Sequence, residues 1–466
     1  MSHAIFIVDD QHPEDTAMLQ ALYSRSPASV VTHLEKLKKT GSGKFMDQYY
    51  VGYGHASIGD CGTTTCFIEQ VSILVAKAVQ ENPLYNGQEA STRYLDYAQQ
   101  EIVDPYDNPA STSIQKRWKE IYNDTIQKLQ VGLEKKNPFD PNQYKSEKIW
   151  KNTLEARSFD IARALLPMGT TTLLSWSTSL RQSRDNLRRL KHHPLKEVRE
   201  VAQSLFKNLI EKYPHSFNGN EMDMGADTAR DAYAEKNATR NHYQSSEDLA
   251  KRFDLTEANF ARLEAGELIV QRDTLDLEGL KKHERAVLSE RPKGSPLPWR
   301  LESYGRYNFL FLLDFGSFRD IQRHRNGVCQ IPLVEARFGL HPWYLHELEE
   351  ILEPADFEKL QKDVAAQFTS IKNLAAQGVE TNNYDDQYFY PMGTMALVHA
   401  SYSLPQTLYV AELRSGKTVH GSLRPIAQKM LQVLERDVPD IALYGDMDAE
   451  NFTAKRGEQT ISLKAG

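Results

Sequence analysis

The chain has 466 residues, 40% of them hydrophobic and 26% charged, with 56 Lys plus Arg against 63 Asp plus Glu and a formal net charge of −7. At ~150 residues per domain this is room for two to four domains with cores of their own, and the ordinary apolar content excludes wholesale disorder, collagen and low-complexity scaffolds. The acidic balance argues against binding a nucleic acid polymer; three cysteines, Cys61, Cys66 and Cys329, are too few for a secreted disulfide scaffold.

In chain order, the start MSHAIFIVDDQHPED has no basic segment followed by an apolar run and a small-residue cleavage site, and apolar stretches such as Phe309 to Leu313 are far short of the ~20 residues that cross a bilayer. A cytoplasmic protein with no membrane contact is expected. The segment Gly52-Tyr-Gly-His55-Ala-Ser57-Ile-Gly59 is glycine-rich, yet its spacing fits neither the dinucleotide fingerprint nor the phosphate loop, so no Rossmann site is expected. Val71, Leu74, Val75, Ala78 and Val79 repeat at helical spacing and predict one apolar helix face.

Directly after it comes ENPLYNGQEASTRY. If extended, it points Glu89, Ser91 and Arg93 the same way, a face for a phosphate or a base edge, or simply an exposed strand with a Glu–Arg pair. Residues 104–147 are rich in Pro, Asn and Asp around the helical QKRWKEIYNDTIQKL, which predicts an insertion. Arg181 to Arg199 carries a local excess of basic residues, either a phosphate cradle or a solvated helix face. Residues 218–246 are polar and predict a linker, with a surface helix as the other reading.

Further on, Leu310, Leu313, Phe318 and Ile321 form a rougher helical stripe, and Arg323-His324-Arg325 follows. Three adjacent basic or titratable groups either grip an anion or sit as a surface cluster favoured by a helix C-terminus. Asp446-Met-Asp448-Ala-Glu450 lacks the glycine of a calcium loop, His341 and His346 lack helical zinc spacing, and no metal is expected. Nor is there a serine or cysteine in a recognisable nucleophile setting.

Self-comparison ties these pieces together. Pro167-Met-Gly-Thr170 recurs as Pro391-Met-Gly-Thr394, an offset of 224 (391 − 167), and Arg199-Glu-Val-Ala-Gln203 is echoed by Arg424-Pro-Ile-Ala-Gln428, an offset of 225 (424 − 199). Each second word opens a helical pattern: Val198, Ala202, Leu205, Phe206 and Leu209 in the first, Ile426, Met430, Val433 and Leu434 in the second. The expected organisation is a tandem duplication, 1–217 with its insertion at 104–147, a linker at 218–246, and 247–466.

These segments resemble the flavin-dependent thymidylate synthases, whose signature is R-H-R, seven residues, then S-x-R-Y, after a G-H-x-S stretch and an apolar helix. The signature is split. The first repeat has GHASIGDCG and Glu89, Ser91, Arg93 and Tyr94, with Glu81, Asn82 and Pro83 where R-H-R belongs; the second has Arg323, His324 and Arg325, with Glu335 and Arg337 near where S-x-R-Y belongs. The resemblance implies an α+β fold, two tandem repeats of a mixed sheet with helices. It implies transfer of a one-carbon unit to C5 of a pyrimidine nucleotide, dUMP to dTMP, with FAD as cofactor and methylenetetrahydrofolate and NADPH as co-substrates. By the same resemblance Glu89, Ser91, Arg93 and Tyr94 hold the nucleotide, with Arg414, in AELRSGKTVH, as the substrate and catalytic arginine. His55, Ser57, Arg323, His324, Arg325 and His420 hold the flavin, and a homodimer forms a pseudo-tetramer of four repeats. Because neither signature is complete, a related flavoenzyme on another pyrimidine and a non-catalytic nucleotide-binding descendant are the alternatives.

Overall fold

The computed structural model describes residues 6–217, 222–223, 228–242, 245–272, 274–377, 384–450, 452–453 and 455–458. The fold is α+β, and the chain divides into two compact units, Met1–Ala90 with Thr172–Tyr243 and Ser91–Thr171 with Gln244–Gly466. The units cut across a boundary at 217, because 91–171 packs with the second half of the sequence. Of the expected linker, residues 218–221, 224–227 and 243–244 lie outside the described residues, and Thr228–His242 is a helix.

The first unit holds a two-stranded sheet, β1 (Thr63–Ser72) with β2 (Thr171–Ser179). Each strand ends on a serine that caps the helix after it. Val75 N–H donates to Ser72 Oγ (3.2 Å) at the start of Ile73–Gln80, and Gln182 N–H to Ser179 Oγ (3.1 Å) at the start of Leu180–Leu190. Val71, expected on the helix, is therefore the penultimate residue of β1: the serine stops the strand and opens the helix one residue later. The helix Lys196–Lys212 buries Val198, Ala202, Phe206 and Leu209 of the five expected positions, with Leu205 half-buried.

The second unit is built on a four-stranded antiparallel sheet ordered β3-β4-β6-β5: β3 (Ile269–Gln271), β4 (Arg306–Asp314), β5 (Val328–Gln330) and β6 (Met395–Ser403). β4 and β6 pair from Arg306↔Ser403 to Asp314↔Met395, and all nine positions of β6 are buried. Leu310 and Leu313 lie in this strand, against the helical stripe expected of them. β4 is buried on both faces through the apolar run Phe309 to Leu313, and so short a run cannot be told from a helix face. The helix begins only at Phe315, where Asp314 accepts from Ser317 N–H (2.8 Å).

The expected insertion contributes core. Its helix runs Pro109–Lys136, opened by an Asn108 and Ser111 capping box, and buries Ile114, Trp118, Ile121, Ile126, Leu129 and Leu133. The two PMGT words face each other inside this unit. Met168 N–H donates to Tyr390 O (2.9 Å) and Met392 N–H to Leu166 O (2.8 Å); Gly169 N–H donates to Tyr388 O (2.8 Å) and Gly393 N–H to Ala164 O (3.0 Å). Every bond maps onto its mate by adding 224 to one partner and subtracting it from the other, the reciprocity of a local two-fold axis. Among the described residues no helix is long and apolar enough to cross a membrane.

Candidate functional site

The second unit gathers arginines around buried acids. After Ala90 the chain turns: Ser91 Oγ accepts from Arg93 N–H (3.2 Å), and Ser91 O accepts from the N–H groups of Tyr94 (3.3 Å) and Leu95 (3.2 Å). Residues 91–94 are therefore a turn and not the extended strand that would align Glu89, Ser91 and Arg93; a serine hydroxyl two residues back offers the backbone that alternative. The turn aims Arg93 inward, where it grips Asp160 with both arms of its fork, Nε to Oδ1 (2.7 Å) and Nη2 to Oδ2 (3.0 Å), and donates from Nη2 to Thr418 O (3.2 Å).

The arginine–histidine–arginine segment follows the helix Phe315–Ile321. Its members differ sharply in setting. Arg323 is 49% exposed and stands 3.7 Å from Asp320; Arg325 is half-buried and donates to Arg323 O (3.3 Å); His324 is buried. Arg414 ends the helix Leu404–Arg414 and reaches this segment, its Nε–H donating to His324 Nε2 (2.8 Å) and its Nη2 to Asp320 O (2.7 Å). Because an arginine only donates, His324 Nε2 is the acceptor and the ring proton sits on Nδ1. Burial, with Arg414 beside it, pulls the His324 pKa down to about 3, so the ring is neutral.

Asp320 joins the two groups. Burial alone would raise its pKa, but the guanidinium groups of Arg93, Arg323, Arg163 and Arg414 outweigh that and hold it well below the usual carboxylate range. Arg319, on the same helix, donates to Thr92 Oγ1 (3.4 Å), within the 91–94 turn. Behind these lies a closed network. Arg163 donates to Tyr344 Oη (3.0 Å) and Ser317 Oγ (2.7 Å), Tyr344 Oη donates to Asp314 Oδ2 (2.9 Å), and Ser422 Oγ donates to Asp314 Oδ1. His420, 1% exposed, donates from Nε2 to Asp160 O (3.0 Å) and accepts at Nδ1 from Ser422 N–H (3.2 Å); burial holds its pKa well below the ordinary value. Four guanidiniums (Arg93, Arg163, Arg323, Arg414) against three carboxylates (Asp160, Asp314, Asp320), with both histidines neutral, leave a net positive cluster that suits an anion. Arg93, Arg157, Asp160, Lys417, Thr418 and Phe452 line a small cleft beside it, open to solvent.

His55, Ser57 and Glu89 belong to the first unit. His55 and Ser57 are exposed at the start of the helix Ala56–Asp60, and Glu89 accepts from Gln80 Nε2 (2.7 Å). The basic run is absorbed by that unit: Arg181 pairs with Asp60 (2.7 Å), Lys191 with Asp231 (2.8 Å), and Arg189 donates to Ala78 O (2.9 Å). Among the described residues no group of three or more His, Cys, Asp or Glu is placed to hold a metal ion. Reading the sequence missed Asp160, Arg163, Asp314 and Asp320. Two of them carried a signal: Asp314 stands three before Ser317 at a helix start, and Asp320 three before Arg323 on one face.

A split cluster of this kind, with Arg93 from one half of a signature and Arg323 to Arg325 from the other, invites comparison with known sequences. Residues 7–215 match the family of thymidylate synthase complementing proteins. That family is in general flavin-dependent and of thymidylate synthase type. The match covers Arg93, Asp160 and Arg163 and stops short of Arg323 and Arg414. Relatives extend along most of the chain: a UPF0159 protein of Thermoplasma acidophilum is 22% identical over 97% of this chain and 99% of its own length. UPF0159 proteins of Chlamydia muridarum and Chlamydia pneumoniae are 25% and 23% identical, over 81% and 86% of this chain and 76% and 80% of their own.

Proposed function

We propose that the protein transfers a one-carbon unit to C5 of a pyrimidine nucleotide, as a flavin-dependent enzyme that turns dUMP into dTMP with methylenetetrahydrofolate and NADPH as co-substrates. One observation carries this reading: within one unit, the helix residue Arg319 donates to Thr92 Oγ1 of the 91–94 turn (3.4 Å) and its neighbour Asp320 stands 3.7 Å from Arg323, so both halves of the split signature meet on one helix. A positive cluster in a low-dielectric setting orients an anionic nucleotide and stabilises negative charge that develops on the pyrimidine ring, work that arginines do without changing protonation.

The residues present fit a flavin dinucleotide in charge. Arg323 is half-exposed with a long ion pair to Asp320 (3.7 Å), and Arg325 stands beside it, so these two would hold the diphosphate. When bound, the flavin supplies the carbon-carrying and hydride-donating ring. Arg93 and Arg414 would hold the nucleotide, with Asp160 and neutral His324 fixing their directions. In this scheme two chains pair into a pseudo-tetramer of four repeats.

A non-catalytic nucleotide-binding descendant is the second reading, favoured by the Arg93 fork being filled by Asp160 and the Thr418 carbonyl. Absorbance of the purified protein at about 450 nm, from oxidised flavin, separates the two. The enzyme is expected to be yellow, to lose colour on Arg325→Ala, and to rescue a thymidine-requiring strain. A colourless protein that binds dUMP and fails to rescue growth makes it the descendant.

A further inference from the structure

The C-terminal segment of the second unit runs beside the cleft next to Arg93. Arg424, 2% exposed, anchors it: Nη1 donates to Glu450 O (2.6 Å) and Nη2 stands 3.1 Å from Asp446 Oδ1. Gln428 Nε2 donates to Asp446 O (3.1 Å) and Asp448 O (2.9 Å), so the backbone is held from below. Beyond it the Phe452 ring lies 5.7 Å from the Arg157 guanidinium and lines the cleft. The segment is a strap with a fixed backbone and one loose contact.

That contact is an ion pair. Lys417 lies just before Thr418, whose carbonyl receives Arg93, and it lines the same cleft as Arg93. Its ammonium is taken by Asp448 of the strap, with side chains 36% and 52% exposed. A solvated pair of this kind is weak and yields easily to a stronger anion. Arg93 is committed to Asp160 and Arg157 to Glu347 (2.8 Å), each a close ion pair with a carboxylate. Of the three cations among the described residues that line the cleft, Lys417 is the one whose partner carboxylate faces water, 52% exposed at Asp448 against 6% at Asp160 and 16% at Glu347. A phosphate dianion outbids a carboxylate for an ammonium by charge alone.

We propose that Lys417 is a phosphate ligand of this cleft, held in reserve by Asp448 of the C-terminal strap until a phosphomonoester displaces the carboxylate. The inference rests on the nucleotide reading above and adds to it a residue and an exchange step. Lysine suits the task because its flexible stem lets the ammonium swing between two anions.

The test is calorimetric titration of the full chain with dUMP, uridine and inorganic phosphate, for the native sequence, Asp448→Asn, Lys417→Met and the double variant. Freeing the lysine from a solvated pair is expected to tighten dUMP and phosphate about twofold to fivefold and to leave uridine unchanged. Lys417→Met is expected to weaken dUMP, and in its background Asp448→Asn is expected to have no effect, which a merely structural role for the strap would not produce. Binding of dUMP that is unchanged by Asp448→Asn, or a gain that persists without Lys417, overturns the inference and leaves the nucleotide reading standing. Failure of all four proteins to bind dUMP overturns both.

Discussion

Arg93 and Asp160 show what the buried charges of this protein cost. Both side chains are nearly enclosed, at 13% and 6% exposure, and their two-armed contact satisfies charges that neither could carry alone. Burial by itself would favour a neutral Arg93, and the Asp160 carboxylate outweighs it. Removing one partner strands the other, so Asp160→Ala is expected to destabilise by about 3–5 kcal/mol, and Asp160→Asn by less because the amide oxygen still accepts one bond. Urea unfolding followed by circular dichroism checks this; equal, small losses for both variants would mean the pair is solvated. Arg93, Arg323 and Arg414 were legible in the sequence because the resemblance marks them, and Arg163 was not. Asp160 was not: it lies 67 residues from Arg93 (160 − 93), and nothing local in FDIARALLP says that a carboxylate there will meet a turn so far upstream.

The same physics governs the elements. The two PMGT words meet back to back because their glycines let the chains approach: a Cβ on Gly169 would sit 2.8 Å from Tyr388 O, and one on Gly393 would sit 2.7 Å from the Ala164 Cβ. Gly169→Ala and Gly393→Ala are each expected to cost about 1–3 kcal/mol, the usual penalty of overpacking, and to cost similar amounts because the contacts are mates under one local two-fold. Thermal melts of the two variants read this directly, and a large difference between them would argue that the pairing is not symmetric in energy. Strand–cap–helix junctions recur at Ser72, Ser179 and Asp314, and the strands after the two words span Thr171–Ser179 and Met395–Ser403, again 224 apart (395 − 171). That order was visible in the repeated words. The strand β4 was not, since the five apolar residues Phe309 to Leu313 support either period, and only the sheet on both sides of them decides.

Across the molecule, acid sensitivity is concentrated in the second unit. Burial pulls His324 down to about 3 and His399 to about 4, His420 sits well below its ordinary value, and His341 is lowered as well. These rings are neutral in the fold and charge near pH 6.5 once unfolded, so the unfolded chain takes up protons first as the pH falls. Stability from these groups is complete above about pH 6.5 and declines as the pH drops toward their folded values, by up to ~1.4 kcal/mol per pH unit for each ring. Asp386 works the other way: burial raises it to about 6, so below that pH the folded state holds a proton that the unfolded state does not, and it gains. One rising carboxyl does not offset four falling histidines, and the net expectation is a loss of several kcal/mol between pH 7 and pH 5. The melting temperature should fall over that interval by roughly 2–4 °C per kcal/mol, as for a domain of 150–250 residues. His324→Gln, which keeps an acceptor for Arg414, should flatten the slope, and a melting temperature that stays level from pH 7 to pH 5 would mean that these rings open to water before the fold gives way.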